Sequence, residues 1–381
     1  MRVGVLLDRH DPAKGGMERA VAQLVAHLAA QGHEAFVYGV AAADRAPGTF
    51  RRVAVPRLPR GRFERALAER SLGAAATDAC DVTLGVRHAP GVDVHWPHGG
   101  SHAATLAAGE AARGRVGGAA SRALHALSPR HRAFLALEAE TFAAGGCREV
   151  WCVSQLVRDE LAAAYPHAAG RLVVHGNGVD LARFHPGVRG EHRDATRRAL
   201  GVPDGVPLLL FLGTNRRLKG WHVLLRALLR LRDLTWRCAT TGDDAAAIAC
   251  DADAAGIGGR VAVTDGRDVR PLYAAADLVV QPTYRDPCSL VTLEALACGV
   301  PVLTSSANGA ADALRDAAAG EVVATGDAEA FAAALAAWSV RLADPECAER
   351  SRAAAAASGA ARDARAWLDG LVAALVRAAA R

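Results

Sequence analysis

Four turns in this chain hold residue types that could bind or transfer a charged group. In GTNRRLKG (213–220), Arg216, Arg217 and Lys219 crowd a turn that Gly220 opens into a helix. Cations are disfavoured at a helix N-terminus, which already carries positive partial charge. A phosphate seated among them would relieve the conflict through charge-assisted hydrogen bonds, although solvated surface charge would give the same letters. In YRDPCSLVTLEALACGVPVL (284–303), Asp286 and Glu294 flank a Pro-Cys-Ser turn. A helix beginning near Ser289 would aim the amides of Ser289, Leu290 and Val291 above the sheet. Carboxylates beside them suit hydroxyls, of a ribose or a sugar, and one capping plus one solvated carboxylate would fit the same spacing. In KGGMER (14–19), Gly15 and Gly16 let the backbone approach a ligand and leave free N–H groups for an anion, as an ordinary glycine turn also would. VDVHWPHGGSH (92–102) holds three histidines with no carboxylate or cysteine at metal spacing, so loop histidines compete with any metal reading. Asp251 and Asp253 fall in an Ala-rich helical stretch and read as solvated surface.

These turns need elements to position them. VGVLL (3–7) reads as a buried strand, followed by an amphipathic helix over 17–31 and a strand at 35–40. Further strands are expected near 81–86, 149–153 and 171–180. Residues 185–207 are polar and rich in turn formers, the best linker candidate. The strand-turn-helix opening then repeats at 207–220, with strands at 236–243, 261–265, 277–283 and 301–306. Alternating strands and helices predict parallel sheets covered on both faces, hence an α/β fold of two doubly wound domains. A closing amphipathic helix should bury Trp367, Leu371, Val372, Leu375 and Val376.

The chain has 381 residues, enough for about two domains, with 51% hydrophobic and 22% charged residues, which excludes a disordered or fibrous protein. Eight scattered cysteines show no zinc spacing, and a reducing, cytoplasmic compartment fits them. No apolar run approaches the ~18 residues of a membrane span, and Asp8 ends the N-terminal apolar run too early for a signal peptide. Net charge is +5, with 23 basic against 17 acidic residues in 1–190 and 22 against 23 in the rest. Much of the excess lies in 111–132, where Arg113, Arg115, Arg122, Arg130 and Arg132 occur with no acid. Interleaved Leu and Ala make it a patch for an anionic membrane surface. A soluble arginine-rich loop fits as well. Nucleic-acid binding is disfavoured because no aromatics interleave with the arginines.

Taken in order, the GG turn, the HGG loop, HGNGVD (175–180), the KG turn and the acidic-x7-Glu segment resemble glycosyltransferase family 4, retaining enzymes of the GT-B fold. The similarity covers essentially the whole chain and is strongest over 261–305. The YAAADL and P-x-Y style is similar to that of bacterial lipopolysaccharide core glucosyltransferases. The resemblance implies two Rossmann-like domains facing across a cleft, an acceptor domain at 1–185 and a nucleotide-sugar donor domain at 186–361, with a helix at 362–380 packing back on the first. It implies that Gly15 and Gly16 meet the donor phosphate, that Arg217 and Lys219 neutralise the diphosphate, and that Glu294 binds the ribose. Arg267 would lie at the nucleobase. Leu290 and Val291 would offer amides to the phosphates beside Ser289, which replaces a frequent glycine. Asp286 stands where the family usually has Glu and would contact the transferred sugar, and His98 would sit near the anomeric carbon. The implied reaction moves a hexose, with retention and without metal or other cofactor, from a UDP-glucose-like donor to a lipid-linked or lipopolysaccharide-core acceptor. It would take place at the inner face of the cytoplasmic membrane. The competing readings are a nucleotide-sugar 2-epimerase of the same fold and a non-catalytic nucleotide-sugar-binding protein.

Overall fold

The computed structural model describes residues 1–242, 244–264 and 268–380. Backbone contacts divide the chain into two compact units. The first comprises Met1–Ala107, Ala119–Asn177 and Arg365–Arg381, and the second Ala108–Gly118 and Gly178–Ala364. The division therefore falls at 177/178, not at 185/186, and a short segment before residue 119 clusters with the second unit.

Among the described residues, the first unit holds strands β1 (Arg2–Leu6), β2 (Arg9–His10), β3 (Glu34–Gly39), β4 (Ala41–Ala42), β5 (Thr49–Arg52), β6 (Val82–Gly85), β7 (Val92–His95), β8 (Cys147–Cys152) and β9 (Leu172–Val174). Seven form one parallel sheet in the order β5-β3-β1-β6-β7-β8-β9, while β2 and β4 pair separately. Helices α1 (Gly16–Ala30), α2 (Arg60–Thr77), α3 (His102–Ala111), α4 (Gly114–Leu127), α5 (Pro129–Phe142) and α6 (Gln155–Ala164) accompany them. Four strands of this unit escape the sequence reading, the two-residue β2 and β4 together with β5 and β7. β5 is an exposed edge strand, TFRR, and β7 begins the segment read as a histidine loop.

In the second unit, β10 (Leu208–Leu212), β11 (Arg237–Thr241), β12 (Val261–Thr264), β13 (Leu278–Gln281), β14 (Val302–Ser305) and β15 (Gly320–Val323) form a parallel sheet ordered β12-β11-β10-β13-β14-β15. Its helices are α7 (Val188–Ala199), α8 (Trp221–Arg230), α9 (Ala245–Ala254), α10 (Arg270–Ala275), α11 (Leu290–Ala297), α12 (Ala328–Ala343) and α13 (Pro345–Ala360). The run LLLFL of β10 shows why an apolar, non-alternating sequence becomes a central strand. Leu208, Leu210 and Leu212 enter the core under α10 and α11, whereas Leu209 and Phe211 enter the opposite core with Trp221, Ile248 and Phe331.

The expected linker at 185–207 is instead largely helix α7, held by arginines one turn apart. Arg193 and Arg197 grip Asp277 at 2.7 and 2.9 Å, and both donate to carbonyls at the C-terminal end of α10. These carbonyls lack intrahelical partners, so cations there are favourable. The closing helix α14 (Ala364–Ala379) buries Leu368, Leu371, Val372 and Leu375, but Val376 faces solvent, so the apolar face is rotated from the one expected.

Candidate functional site

In each unit the strand order reverses direction once, between β1 and β6 in the first and between β10 and β13 in the second. Ligands of open α/β sheets bind beyond the carboxyl ends of the strands at such points. In the second unit, β10 leads into the 213–220 turn and β13 into the 282–289 turn. Their close approach is built into the sequence. Gly220 has φ +80°, and a Cβ there would collide with the Pro282 carbonyl oxygen, so only glycine suits the position. Asn215, also left-handed at φ +61°, accepts a hydrogen bond from the Leu218 amide at 3.2 Å.

The three cations of the first turn do not share one environment. Lys219 forms an ion pair with Asp286, both side chains largely buried. The Arg216 guanidinium pairs with Asp251 and its amide donates to Asp244. Asp251 is therefore a partner of the turn, correcting the reading of Asp251 and Asp253 as merely solvated. Arg217 is exposed and makes no ion pair among the described residues. It lines a cavity of about 800 Å³ with Asn215, Arg216, His222, Arg226, Asp244 and Tyr284. Sequence reasoning missed His222 and Tyr284, which stack at 5.3 Å with the tyrosine hydroxyl 3.2 Å from His222 Nε2.

Helix α11 begins as expected. Ser289 is its N-cap, accepting from the Thr292 amide at 3.3 Å, so Leu290 and Val291 occupy the first turn. Asp286 precedes it and is buried, its amide and carbonyl bonded to Ala307 and Gly309. Glu294 is also buried and accepts the Tyr273 hydroxyl at 2.9 Å. Burial, and then the Glu294 charge, push the Tyr273 phenol well above its usual range, so it acts as a fixed donor. Tyr273 lies in the YAAADL segment but carried no assigned role. Arg267 lies outside the described residues.

In the first unit, Gly15 is the N-cap of α1 and Gly16 its first residue, with no side chain capping the end. His98 packs on Trp96 at 4.2 Å, and its buried Nε2 has no partner among the described residues. Burial pushes its pKa down to about 3, leaving a neutral imidazole. The other two histidines of this segment gather elsewhere, around the buried Glu138 of α5. Glu138 accepts from Ser101 Oγ and Tyr165 Oη, each at 2.9 Å, and from the His102 amide, with His88 Nε2 at 3.4 Å. Against burial, which raises it, these partners hold the carboxyl at about 2. His95 packs 5.1 Å from His88. No motif flagged Glu138, because its partners come from distant segments. Among the described residues no group of three His, Cys, Asp or Glu side chains has metal-binding geometry.

Of the basic segment, Arg113, Arg115, Arg122, Arg130 and Arg132 are all exposed, on or beside helices rather than in a loop. Arg113 and Arg115 belong to the stretch that clusters with the second unit.

Two family models match the chain, one described as Glycosyltransferase Family 4 over residues 14–183 and one as Glycosyl transferases group 1 over 206–339. The chain belongs to glycosyltransferase family 4. Among its relatives, the D-inositol 3-phosphate glycosyltransferase of Mycobacterium avium (strain 104) is 37% identical over 194 residues, 48% of this chain and 44% of the relative. The corresponding enzyme 2 of Catenulispora acidiphila is 33% identical, over 46% and 44%. The match thus spans less than half the length of these curated relatives. Solved structures extend the likeness to the whole fold. WaaG, a glycosyltransferase involved in lipopolysaccharide biosynthesis, superposes with a TM-score of 0.79 at 22% identity, over 98% of this chain and 99% of WaaG. Anabaena Alr3699/HepE, solved in complex with UDP-glucose, gives 0.72 at 18% identity, over 99% and 100%. The fold of this family 4 member is accordingly GT-B.

Proposed function

We propose that the chain transfers a hexose from a nucleotide-diphosphate sugar, UDP-glucose-like, to a hydroxyl of a lipid-linked or lipopolysaccharide-core saccharide, with retention and without a metal. The observation that carries this reading is the convergence of Lys219, Asp286, the α11 N-terminus and Glu294 at the switch point of the second unit. Leaving-group departure builds negative charge on the diphosphate. Lys219, Arg217 and the Leu290 and Val291 amides are the donors we assign to it, each a fixed electrostatic stabiliser. Lys219 spends one N–H on Asp286 and keeps the others. Asp286 both aims that ammonium and offers its second oxygen to a sugar hydroxyl. Glu294, held by Tyr273, is assigned to the ribose. His98, neutral with a bare nitrogen, is assigned to the reacting sugar, and Gly15 and Gly16 to a donor phosphate on the family pattern. The complex of HepE with UDP-glucose supports the donor class. The names of the curated relatives favour a second acceptor reading, a soluble phosphorylated polyol.

Helix α4 supports work at a membrane surface. Val116, Leu124 and Leu127 are 86%, 69% and 75% exposed, on the face away from buried Gly118 and Ser121, and Arg115 and Arg122 are exposed elsewhere on the same helix. No helix among the described residues is long and apolar enough to cross a membrane.

The test is thermal-shift binding to a panel of nucleotide sugars in chelator, followed by product analysis. Donor-dependent stabilisation of wild type, lost in Glu294→Ala and Lys219→Ala, with a glycosylated acceptor as product, is the expected outcome. Equal stabilisation of both variants would move the donor elsewhere. An epimerised donor, or binding without turnover across acceptors, would replace the transferase reading.

A further inference from the structure

The 213–220 turn does not gather its cations at one place. Lys219 is taken up by Asp286, whereas Arg216 and Arg217 line the cavity of about 800 Å³ described above. That volume is in the range of small-molecule sites. Lys219, Asp286, Glu294 and the first residues of α11, to which the donor is assigned in this unit, are not among the described residues that line it. The cavity is therefore a space beside those groups, sharing only Arg217 with them.

Its walls are rich in positive charge. Arg226 of α8 and Arg113, in the short stretch that clusters with this unit, are both exposed and join the two arginines of the turn. Arg226 stands one helical turn after His222, and its Nε donates to the His222 carbonyl at 3.3 Å. Arg113 donates to the Gly109 carbonyl at 2.6 Å. Neither of them, nor Arg217, makes an ion pair among the described residues. Arg216 is paired with Asp251, and Asp244 accepts from its amide. Four guanidiniums against these two carboxylates leave an excess of two positive charges among the described residues, Asp243 lying outside them.

Three of these arginines act on one point. His222 is partly buried in the same wall, and burial, then the charges of Arg226, Arg217 and Arg216, push its imidazole pKa down. Guanidiniums close enough to disfavour the same proton also repel one another, and an anion between them removes that cost. Trp221 adds a neutral donor. It lines the cavity, is 1% exposed, and its indole N–H is buried without a partner among the described residues. Guanidinium and indole groups can only donate, so a ligand that satisfies this wall accepts hydrogen bonds at several atoms and carries negative charge. A carboxylate offers two oxygens and one charge. A phosphate monoester offers three terminal oxygens and up to two charges, which matches the excess.

We propose that this cavity is a second anion site that binds a phosphate monoester dianion, with Arg113, Arg217 and Arg226 on its oxygens. The stacked His222 and Tyr284 rings, 16° apart in plane, give an aromatic wall for the group that carries the phosphate. The site stands without the transferase reading, since Arg217 is its only residue assigned to the donor.

The test is calorimetry on the full chain at about pH 8, where the phosphate is a dianion, with glucose 6-phosphate and methyl α-D-glucopyranoside as probes, with and without saturating UDP. Glucose 6-phosphate is expected to bind in the presence of UDP, at least about tenfold tighter than the glycoside. Arg226→Glu and, separately, Arg113→Glu should each weaken it at least about tenfold while UDP binding is retained. Arg232→Glu, the same charge change at an exposed arginine outside the cavity, should bind as wild type does. Full displacement by UDP would give the cavity to the donor's diphosphate and overturn the proposal. Equal binding of the glycoside, no binding of glucose 6-phosphate, or unchanged binding in both cavity variants would overturn it too. A chain that binds glucose 6-phosphate but neither UDP nor UDP-glucose keeps this site and sinks the transferase reading. With UDP-glucose added, a glycosylated glucose 6-phosphate would show that the acceptor carries the phosphate, and binding without that product would show a free phosphate ester acting as effector.

Discussion

Glu138 shows how one carboxylate can organise a segment that looks independent of it. It ties Ser101 and the His102 amide, at the end of the HGG turn, to Tyr165 and His88. Burial alone would raise its pKa, yet its partners hold it at about 2, below the ordinary 4.5. A depressed carboxyl stabilises the fold above its unfolded pKa and loses that contribution as pH falls. The loss should run from about pH 4.5 down to about 2, with a full value of about 3 kcal/mol from the two pKa values. Glu138→Gln should lower stability near neutral pH and flatten this acid limb. Urea titrations across the pH range check it, and an unchanged acid limb would show that another group controls it. The sequence could not reveal this role. A lone Glu in an Ala- and Leu-rich helix has no local signature, and its side-chain partners His88, Ser101 and Tyr165 lie 27 to 50 residues away. Lys219 and Asp286 were each more legible, because each sits in a turn whose composition was already unusual, but their ion pair was not expected from the sequence.

At the level of elements, α7 was hidden by the rule used to find helices. An apolar stripe marks most amphipathic helices, but the inward face of α7 is built around arginines. Arg197 is 9% exposed, donates to Asp277, Ala275 and the Pro203 and Val206 carbonyls, and joins α7 to α10. Arg197→Ala would leave several buried acceptors unpaired. Complete loss of a buried partner costs about 3–5 kcal/mol, and since Arg193 still holds Asp277, a loss of about 3 kcal/mol is expected. Arg197→Lys should recover only part, because an ammonium cannot span that fan of acceptors. Arg198→Ala, one position on and exposed, should stay within about 0.5 kcal/mol of wild type. Equal effects at 197 and 198 in urea unfolding would refute the buried role. Helix α11, by contrast, was legible to the residue, since the Ser289 cap and the Pro-Cys-Ser turn are local signals.

For the molecule as a whole, two parallel sheets could be read from the buried runs of their central strands, where an apolar sequence leaves few alternatives. The edge strand β5, TFRR, was not readable because it is exposed and lacks such a run, whereas the edge strands β9 and β12 keep short apolar runs and were read. The same logic of enclosure bears on α4. A helix that packs by Gly118 and Ser121 while exposing Val116, Leu124 and Leu127 reverses the usual arrangement for water. Apolar residues held outward on a helix that also exposes two arginines are stabilised where an apolar phase meets an anionic one. Vesicles containing phosphatidylglycerol should therefore co-sediment the protein, and phosphatidylcholine vesicles should do so weakly. At about 1 kcal/mol per cation, Arg115→Ala with Arg122→Ala should lower partitioning about 30-fold, and added salt should mimic the change. Leu124→Asp with Leu127→Asp should abolish binding even at low salt, because the arginines alone lack the apolar contact. Salt-insensitive sedimentation, or full binding by the aspartate variant, would mean that α4 is not the surface involved. Loss in both variants, with donor-induced stabilisation unchanged, would separate membrane attachment from the donor site.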